Sequence, residues 1–523
     1  MSTEFTQDRA QTRDGFLRRM MRFSGSTVIS RILGLVREQV MSHYFGAGVA
    51  VDSFNAAFRI PNLLRDFFAE GALSVAYVPV FSEKLKAEGK QKAFLLTSTI
   101  LTVLTVLLGA ISLIGIIVAP LIVNIIAPGF ADSAGQMELT TAMTRIMFPF
   151  LAFVAAAAAV MGTLNCFGRF GLPALAPAGF NLASIIAGIY FRQYFDPPIL
   201  VMAWGATIGG IVQLAMQIPQ LLAIGFRFRF NFSLADEAVR KIIKLMGPAA
   251  IGVAASQLNI IVGTLLASLQ PTGSISYLNY AFRLMHFPLG VFGVAVAAVS
   301  LPELSAIAAE GKTEVLFARY IRSCRTQLLF LWPSALFLFV AARPICALIY
   351  QHGRFGWQDS INAAGALQAY AVGLIFFGLV RLAAQVFYAH KNTATPVKIS
   401  AIAVGINIIA SLLLMKSLGF VGLALAPGIS AMANFGMLAF SIRKKIGRPD
   451  YRSLFWHFLK VTAAGVIGSA ITYLILRHYQ AYDSYVGVLK TIPRLGAALV
   501  CGIVIFAGLA FAMGLFRKKR DPE

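Results

Sequence analysis

Arg31, Arg37, Glu38, Asp52, Arg59, Arg65, Asp66 and Glu70 crowd into one stretch, SRILGLVREQVMSHYFGAGVAVDSFNAAFRIPNLLRDFFAEGALS, that is otherwise built mainly of apolar and small residues. Carboxylates in such a setting suit cations or protons, whereas guanidinium groups suit anions. Arginine is planar, permanently charged and rich in donors, so it grips phosphate better than lysine does. With Arg283 further along the chain, five arginines face four carboxylates. The surplus points to an anionic ligand carrying a pyrophosphate. Glu38, Asp52, Asp66 and Glu70 are then ion-pair or gating groups. Arg31 and Glu38, seven apart, share a helix face, as do Arg59 and Asp66. Arg31 and Arg37, six apart, sit about 120° apart around a helix and spread over it.

Other chemistries lack their residues. Asp132, Glu138, Asp196, Asp359 and Asp483 are scattered over the connections and form no acid–base cluster. Cys166, Cys324, Cys346 and Cys501 are isolated, with neither CxxC nor metal-ligand spacing, and read as small packing residues. No catalytic residue, metal site or cofactor is expected.

The elements that must hold these charges are membrane helices. The 523 residues are 58% hydrophobic and 13% charged, about half the charge a soluble surface carries. Apolar segments long enough to cross a ~30 Å hydrocarbon core can be centred near residues 33, 68, 110, 152, 183, 211, 256, 292, 335, 375, 405, 430, 467 and 502, about fourteen in all. A charge at bilayer depth costs about 2.5–3.5 kcal/mol on insertion scales, so the charged first pair must face protein or an aqueous cavity. Pro61, Pro79, Pro248, Pro288, Pro302, Pro333 and Pro427 fall inside spans and read as kinks or hinges. The polar start of the chain is a poor signal peptide.

The net charge of +23 would suggest nucleic acid in a soluble protein. Here the basic residues gather in every second connection, as at Lys84/Lys86/Lys90/Lys92, Arg227/Arg229/Arg240/Lys241/Lys244 and Arg443/Lys444/Lys445/Arg448. Roughly thirty lie on one side and about six on the other, which the positive-inside rule explains. Both termini are expected in the cytoplasm, with an even number of spans and no nucleic-acid partner.

An internal repeat organises the first twelve helices. AAFRIPNLL…LSVAYVPVFSEKLKAEGK resembles YAFRLMHFP…VAVAAVSLPELSAIAAEGK at a spacing of about 223, pairing Phe58-Arg59 with Phe282-Arg283, Pro79 with Pro302 and Gly89-Lys90 with Gly311-Lys312. Six helices per copy makes the repeats parallel, with a substrate site expected between them. The second copy puts Ala255, Ile261 and Ser276 opposite Arg31, Arg37 and Asp52; only Arg59 keeps a charged counterpart, Arg283. The first copy is therefore the chemically specialised half. The expected parts are a tail (1–22), an N-lobe (23–226), a C-lobe (237–447), two extra helices (452–516) and a basic tail (517–523).

The run SRILGLVRE…FGAGVAVDSFNAAFRIPNLLRDFFAEGALSVAYVPVF resembles the N-terminal signature of the MurJ/MviN lipid II flippases, members of the multidrug/oligosaccharidyl-lipid/polysaccharide exporter superfamily. YAFRLMHFPLGVFGVAVAAVSLPELS and FYAHKNTATPVKI are similar to two further segments of that family. The resemblance implies an all-α polytopic protein of fourteen helices: two six-helix lobes around a central cationic cavity, alternating access, and a terminal helix pair forming a groove for the undecaprenyl tail. It carries family-critical roles to Arg31, Arg37, Asp52, Arg65 and Arg283, while Arg59 stands where relatives carry lysine. Where some members have Asp-Arg-Leu-Met-Glu, this chain has Phe282-Arg283-Leu284-Met285-His286, which makes His286 a candidate proton switch. The helices near 256 and 405 offer Asn259 and Asn407 without a carboxylate, a departure from the sodium site of some relatives.

The expectation is a lipid II flippase of the inner membrane, monomeric, in contact with lipid II and the bilayer, and driven by the membrane potential or an ion gradient. A flippase for another undecaprenyl-diphosphate oligosaccharide, such as an O-antigen unit, is the nearest alternative. A membrane enzyme acting on polyprenyl phosphates is the remote one, and product analysis separates them, since an enzyme changes the lipid and a flippase only moves it.

Overall fold

The computed structural model describes residues 29–66, 72–482 and 487–516, except for the side chains of 72, 74, 75 and 248–256. The expected tails (1–22 and 517–523) and Glu70 lie outside the described residues. Among those residues the chain is helix joined by turns and irregular connections, with no strand. Its long helices are α1 (29–45), α2 (Val49–Arg65), α3 (Ala72–Ile117), α4 (Gln136–Cys166), α5 (Gly171–Tyr194), α6 (Leu200–Ala223), α7 (Glu237–Ser268), α8 (Ser274–Ala309), α9 (Thr313–Val340), α10 (Trp357–Ala389), α11 (Ala394–Leu418), α12 (Phe420–Lys445), α13 (Tyr451–His478) and α14 (Val488–Ala512). Eleven helical segments among the described residues are long and apolar enough to cross a membrane. The expected fourteen spans are not established by that measure: the described part of α1 carries Arg31, Arg37 and Glu38, and α2 has 17 residues. The molecule is a polytopic, all-α membrane protein.

By packing, the chain divides within α7 into two compact units, Met1–Ile261 and Val262–Glu523. Each shows the repeat in its backbone. α3 is two helices joined at Gly89, whose φ is 81°, and the equivalent turn between α8 and α9 holds Gly311 at φ 73°. Left-handed backbone strains any residue with a Cβ, so the echo at Gly89 and Gly311 marks a turn both copies need.

The first unit's core is tied by one phenol. The buried Tyr77 hydroxyl lies 2.7 Å from Thr163 Oγ1 and 2.9 Å from Thr97 Oγ1, joining both halves of α3 to α4. Tyr77→Phe is expected to lower stability by about 1 kcal/mol, because both threonines keep bonds to their own helices. Thermal melting in detergent checks this.

In the second unit α10 runs against α12 with almost nothing between them: a Cβ placed on Gly373 would lie 2.4 Å from the Cα of Gly428. Small residues permit such approach, and dispersion replaces the hydrophobic drive that lipid does not supply. The Asp359 carboxylate accepts the Gly356 N–H at 2.8 Å, capping α10, and the Tyr277 hydroxyl at 2.8 Å, tying in α8. After Pro288, which lacks an N–H, α8 widens into a π turn over Leu289–Gly293.

α13 and α14 cross at a second glycine pair. A Cβ on Gly502 would meet Thr472 Oγ1 at 2.1 Å and the Gly468 carbonyl at 2.7 Å. α13 is held to α9 by the Trp332 indole N–H, which donates to Thr462 Oγ1 at 2.8 Å, and by His457 Nε2, 3.2 Å from the Arg325 carbonyl. In the connection between the two helices, Tyr482 donates to the Val340 carbonyl at 2.9 Å; burial pushes its phenol up to about 12, so it remains a donor. Outward, the pair shows Leu474, Leu489, Val500, Val504 and Phe511, all more than half exposed.

Candidate functional site

Of the candidate site residues in the first unit, Arg31, Arg37 and Glu38 sit on α1, Asp52, Arg59 and Arg65 on α2, and Asp66 just past the end of α2. Arg37 and Glu38 are buried, with side chains 10% and 9% exposed, and pair at 2.9 Å. Arg65 pairs with Asp66 at 2.8 Å, and Asp66 Oδ2 also accepts the amide of Gln257, from α7, at 3.1 Å. Arg37 and Arg65 thus each pair with the carboxylate next to them in sequence. An adjacent pair needs no particular helix phase, because two long side chains can bend toward one another. Asp52 lies in the first turn of α2 and is 2% exposed, Arg59 is half-buried, and Arg31 is on an exposed face of α1. Within the described residues of α1, α2 and Asp66, four arginines meet three carboxylates.

Arg37 is positioned by more than its carboxylate. Its guanidinium carbon lies 5.4 Å from the Phe180 ring centroid. Phe180 in turn packs on Phe150 at 5.4 Å and Phe58 at 6.3 Å, and Phe58 stacks on Phe54 at 5.9 Å. An aromatic floor drawn from α2, α4 and α5 therefore underlies the cation. Its quadrupole favours the charge, and the effect grows where water is excluded. Next to Phe180, the Asn181 amide donates to the Ser30 carbonyl at 3.1 Å, fixing α1 against α5. Phe180, Asn181, Phe150 and Gln257 were not picked out by sequence. Phe180, Asn181 and Gln257 each work through a partner over a hundred residues away, and Phe150 packs on Phe58, 92 residues away, so nothing local signals them.

In the second unit Arg283 is exposed on α8. His286 is also exposed; its Nδ1 lies 3.1 Å from the Phe282 carbonyl and its ring is 3.9 Å from that of Phe282. Among the described residues no group of three or more His, Cys, Asp or Glu is placed to hold a metal. Cys324 and Cys346 are buried, Cys166 is half-buried and within 3.3 Å of Ser82, and Cys501 is exposed. All four are free thiols.

Spanning helices in two repeated units, with one buried and one half-buried arginine–carboxylate pair on the first, are the architecture of a membrane transporter. A solved multidrug exporter of the MATE family in an inward-facing conformation shares the fold, at a TM-score of 0.66 over 85% of this chain and 98% of that one and 13% identity. A model of the family described as lipid II flippase MurJ matches residues 41–492, and the chain belongs to that family. A relative from Burkholderia cenocepacia named lipid II flippase MurJ is 33% identical over 505 residues, 95% of this chain and 97% of its own. One from Haemophilus influenzae, named probable lipid II flippase MurJ, is 35% identical over 86% of this chain and 91% of its own. A solved structure of a lipid II flippase MurJ in an inward closed conformation superposes with a TM-score of 0.79 at 28% identity, covering 95% of this chain and 99% of that one.

Proposed function

We propose that this chain moves lipid II, the undecaprenyl-diphosphate-linked peptidoglycan precursor, from the cytoplasmic to the periplasmic leaflet of the inner membrane. The observation that carries the reading is the buried Arg37–Glu38 pair on its aromatic floor, in a helix pair with more guanidinium than carboxylate. Arg31, Arg37, Arg59 and Arg65 take the diphosphate and headgroup, and Arg283 is the second unit's own anion-binding residue. Asp52 and the carboxylates paired to the arginines exchange partners as the site is exposed in turn to either side. The tail stays in lipid along the apolar faces of α13 and α14. His286 carries no step in this reading.

The excess of basic residues in alternate connections supports cytoplasmic termini. The protein works as a monomer without a cofactor. Return of the empty, cationic site toward the cytoplasm is driven by the membrane potential, worth about 2.3 kcal/mol per charge per 100 mV, or by an ion gradient. Depletion in the host, with lipid II scored for accessibility at the periplasmic face, tests the proposal. Intact lipid II retained on the cytoplasmic side is expected. Normal lipid II exposure with loss of another surface glycan would assign the chain to a different undecaprenyl-diphosphate oligosaccharide, and a chemically altered lipid to an enzyme.

A further inference from the structure

Between α6 and α7 the chain reads Phe226-Arg227-Phe228-Arg229-Phe230-Asn231-Phe232, alternating aromatic and polar residues without regular secondary structure. Phe226 is buried, its ring edge-on to Phe94 of α3 at 5.5 Å. The Arg229 N–H then donates to Ser98 Oγ at 3.3 Å, and the Asn231 amide to Thr99 Oγ1 at 2.8 Å. The segment therefore lies along α3 from Phe94 to Thr99, about 7.5 Å at 1.5 Å per residue. That part of α3 is a spanning helix that starts beside Gly89, where Lys90 rests its ammonium 5.5 Å from the Phe94 ring and 5.6 Å from Phe167. The segment thus runs past the lysine-marked rim, alongside the apolar body of the helix. Phe228, Phe230 and Phe232 are 56%, 76% and 50% exposed there, and Arg227 and Arg229 are exposed as well.

We infer that residues 226–232 are an interfacial ribbon: Phe228, Phe230 and Phe232 insert into the acyl edge of the adjacent leaflet, and Arg227 and Arg229 bind the phosphates of anionic lipid. Three neighbouring phenylalanines in water would be an unusual exposed patch, whereas at a headgroup boundary the rings meet acyl chain and the arginine stems rise to phosphate. The charge around them fits an anionic surface. Lys241 Nζ meets Glu83 at 2.6 Å, which brings the start of α7 beside the basic turn of α3 holding Lys84, Lys86, Lys90 and Lys92. That this leaflet is the cytoplasmic one rests on the orientation proposed above. The insertion itself does not.

A nitroxide at Phe230→Cys tests the ribbon, in a full-length protein with Cys166, Cys324 and Cys346 changed to alanine and Cys501 to serine, in phosphatidylcholine vesicles with and without about one quarter phosphatidylglycerol. Collisions with oxygen, which concentrates among acyl chains, and with a water-soluble nickel chelate report depth without any substrate, so the result stands apart from the flippase test. Labels at Val106→Cys, on the outward face of α3, and at Lys86→Cys supply the lipid and water references. The expected result is oxygen access and nickel shielding close to the Val106 label. Arg227→Gln with Arg229→Gln should raise nickel collisions severalfold and remove their dependence on phosphatidylglycerol. A Phe230 label as open to nickel as that at Lys86, or shielded from both reagents by protein, would overturn the inference, as would indifference to the two arginines.

Discussion

Replacing Arg37 with alanine is expected to stop transport and to lower the stability of the first unit by about 3–5 kcal/mol, the usual cost of leaving one member of a buried ion pair behind. The buried Glu38 carboxylate would lose its Arg37 partner, and the Phe180 face would lose its cation. Those two losses are separable. Arg37→Ala combined with Glu38→Gln removes the uncompensated charge and should recover much of the melting temperature, yet transport should stay absent because the buried guanidinium on the aromatic floor is gone and the remaining arginines do not occupy its place. Arg37→Lys keeps the charge but loses the planar fork and most of the stacking, so it should fold and transport poorly. Melting in detergent, lipid II binding to purified protein and rescue of depleted cells read the three effects separately. Normal transport by Arg37→Ala would remove Arg37 from the mechanism.

Gly373→Ala is expected to be among the more damaging single methyls in the second unit. The new carbon would fall 2.4 Å from Gly428 Cα and 3.3 Å from its nitrogen, backbone atoms that cannot swing aside, so α10 and α12 must part. Overpacking of this kind costs about 1–3 kcal/mol and sometimes more. Gly428→Ala, whose nearest contact is 2.9 Å, should be milder. Gly405 and Gly436 on the neighbouring helices α11 and α12 have nothing within 4 Å of an added Cβ. Alanine there should be neutral or stabilising by up to about 1 kcal/mol, since it only relieves the conformational entropy of glycine. Melting temperatures ordered Gly373→Ala, Gly428→Ala, wild type, then Gly405→Ala would bear out close backbone packing as the second unit's principal constraint. Equal effects at all four positions would refute it.

Much of this molecule can be read from its residue string, and the reason is solvent. Lipid requires long apolar runs, so α3 to α6 and α8 to α14 announce themselves. The same requirement makes each intramembrane arginine conspicuous, which is how Arg31, Arg37, Arg59, Arg65 and Arg283 come to notice. The repeat was legible at Gly89 and Gly311 because a backbone turn of fixed sign admits few other residues. Pairing was less legible. Helix geometry limits which residues share a face but leaves the rotamers of long side chains open, so Arg37 with Glu38 and Arg65 with Asp66 could not be chosen over more distant partners. The Phe180 floor and the Gln257 bond depend on tertiary contacts, as does the approach of Gly373 to Gly428, and no periodicity encodes them. The charged helices α1 and α2 also escape a count based on apolar length, because the same charges that mark them as the candidate site lower their hydropathy.

The bond from Trp332 to Thr462 gives the molecule an optical gauge of its own. The chain has four tryptophans. Trp332 bridges α9 to α13, with its indole N–H on Thr462 and its ring 5.4 Å from Phe458. Indole emission moves in wavelength when its hydrogen bond or the polarity around its ring changes. With Trp204, Trp357 and Trp456 replaced by phenylalanine, the remaining fluorescence would follow the α9–α13 contact in real time, with no dye attached. Any stage of turnover that loosens the terminal helix pair from α9 would then appear as a colour change.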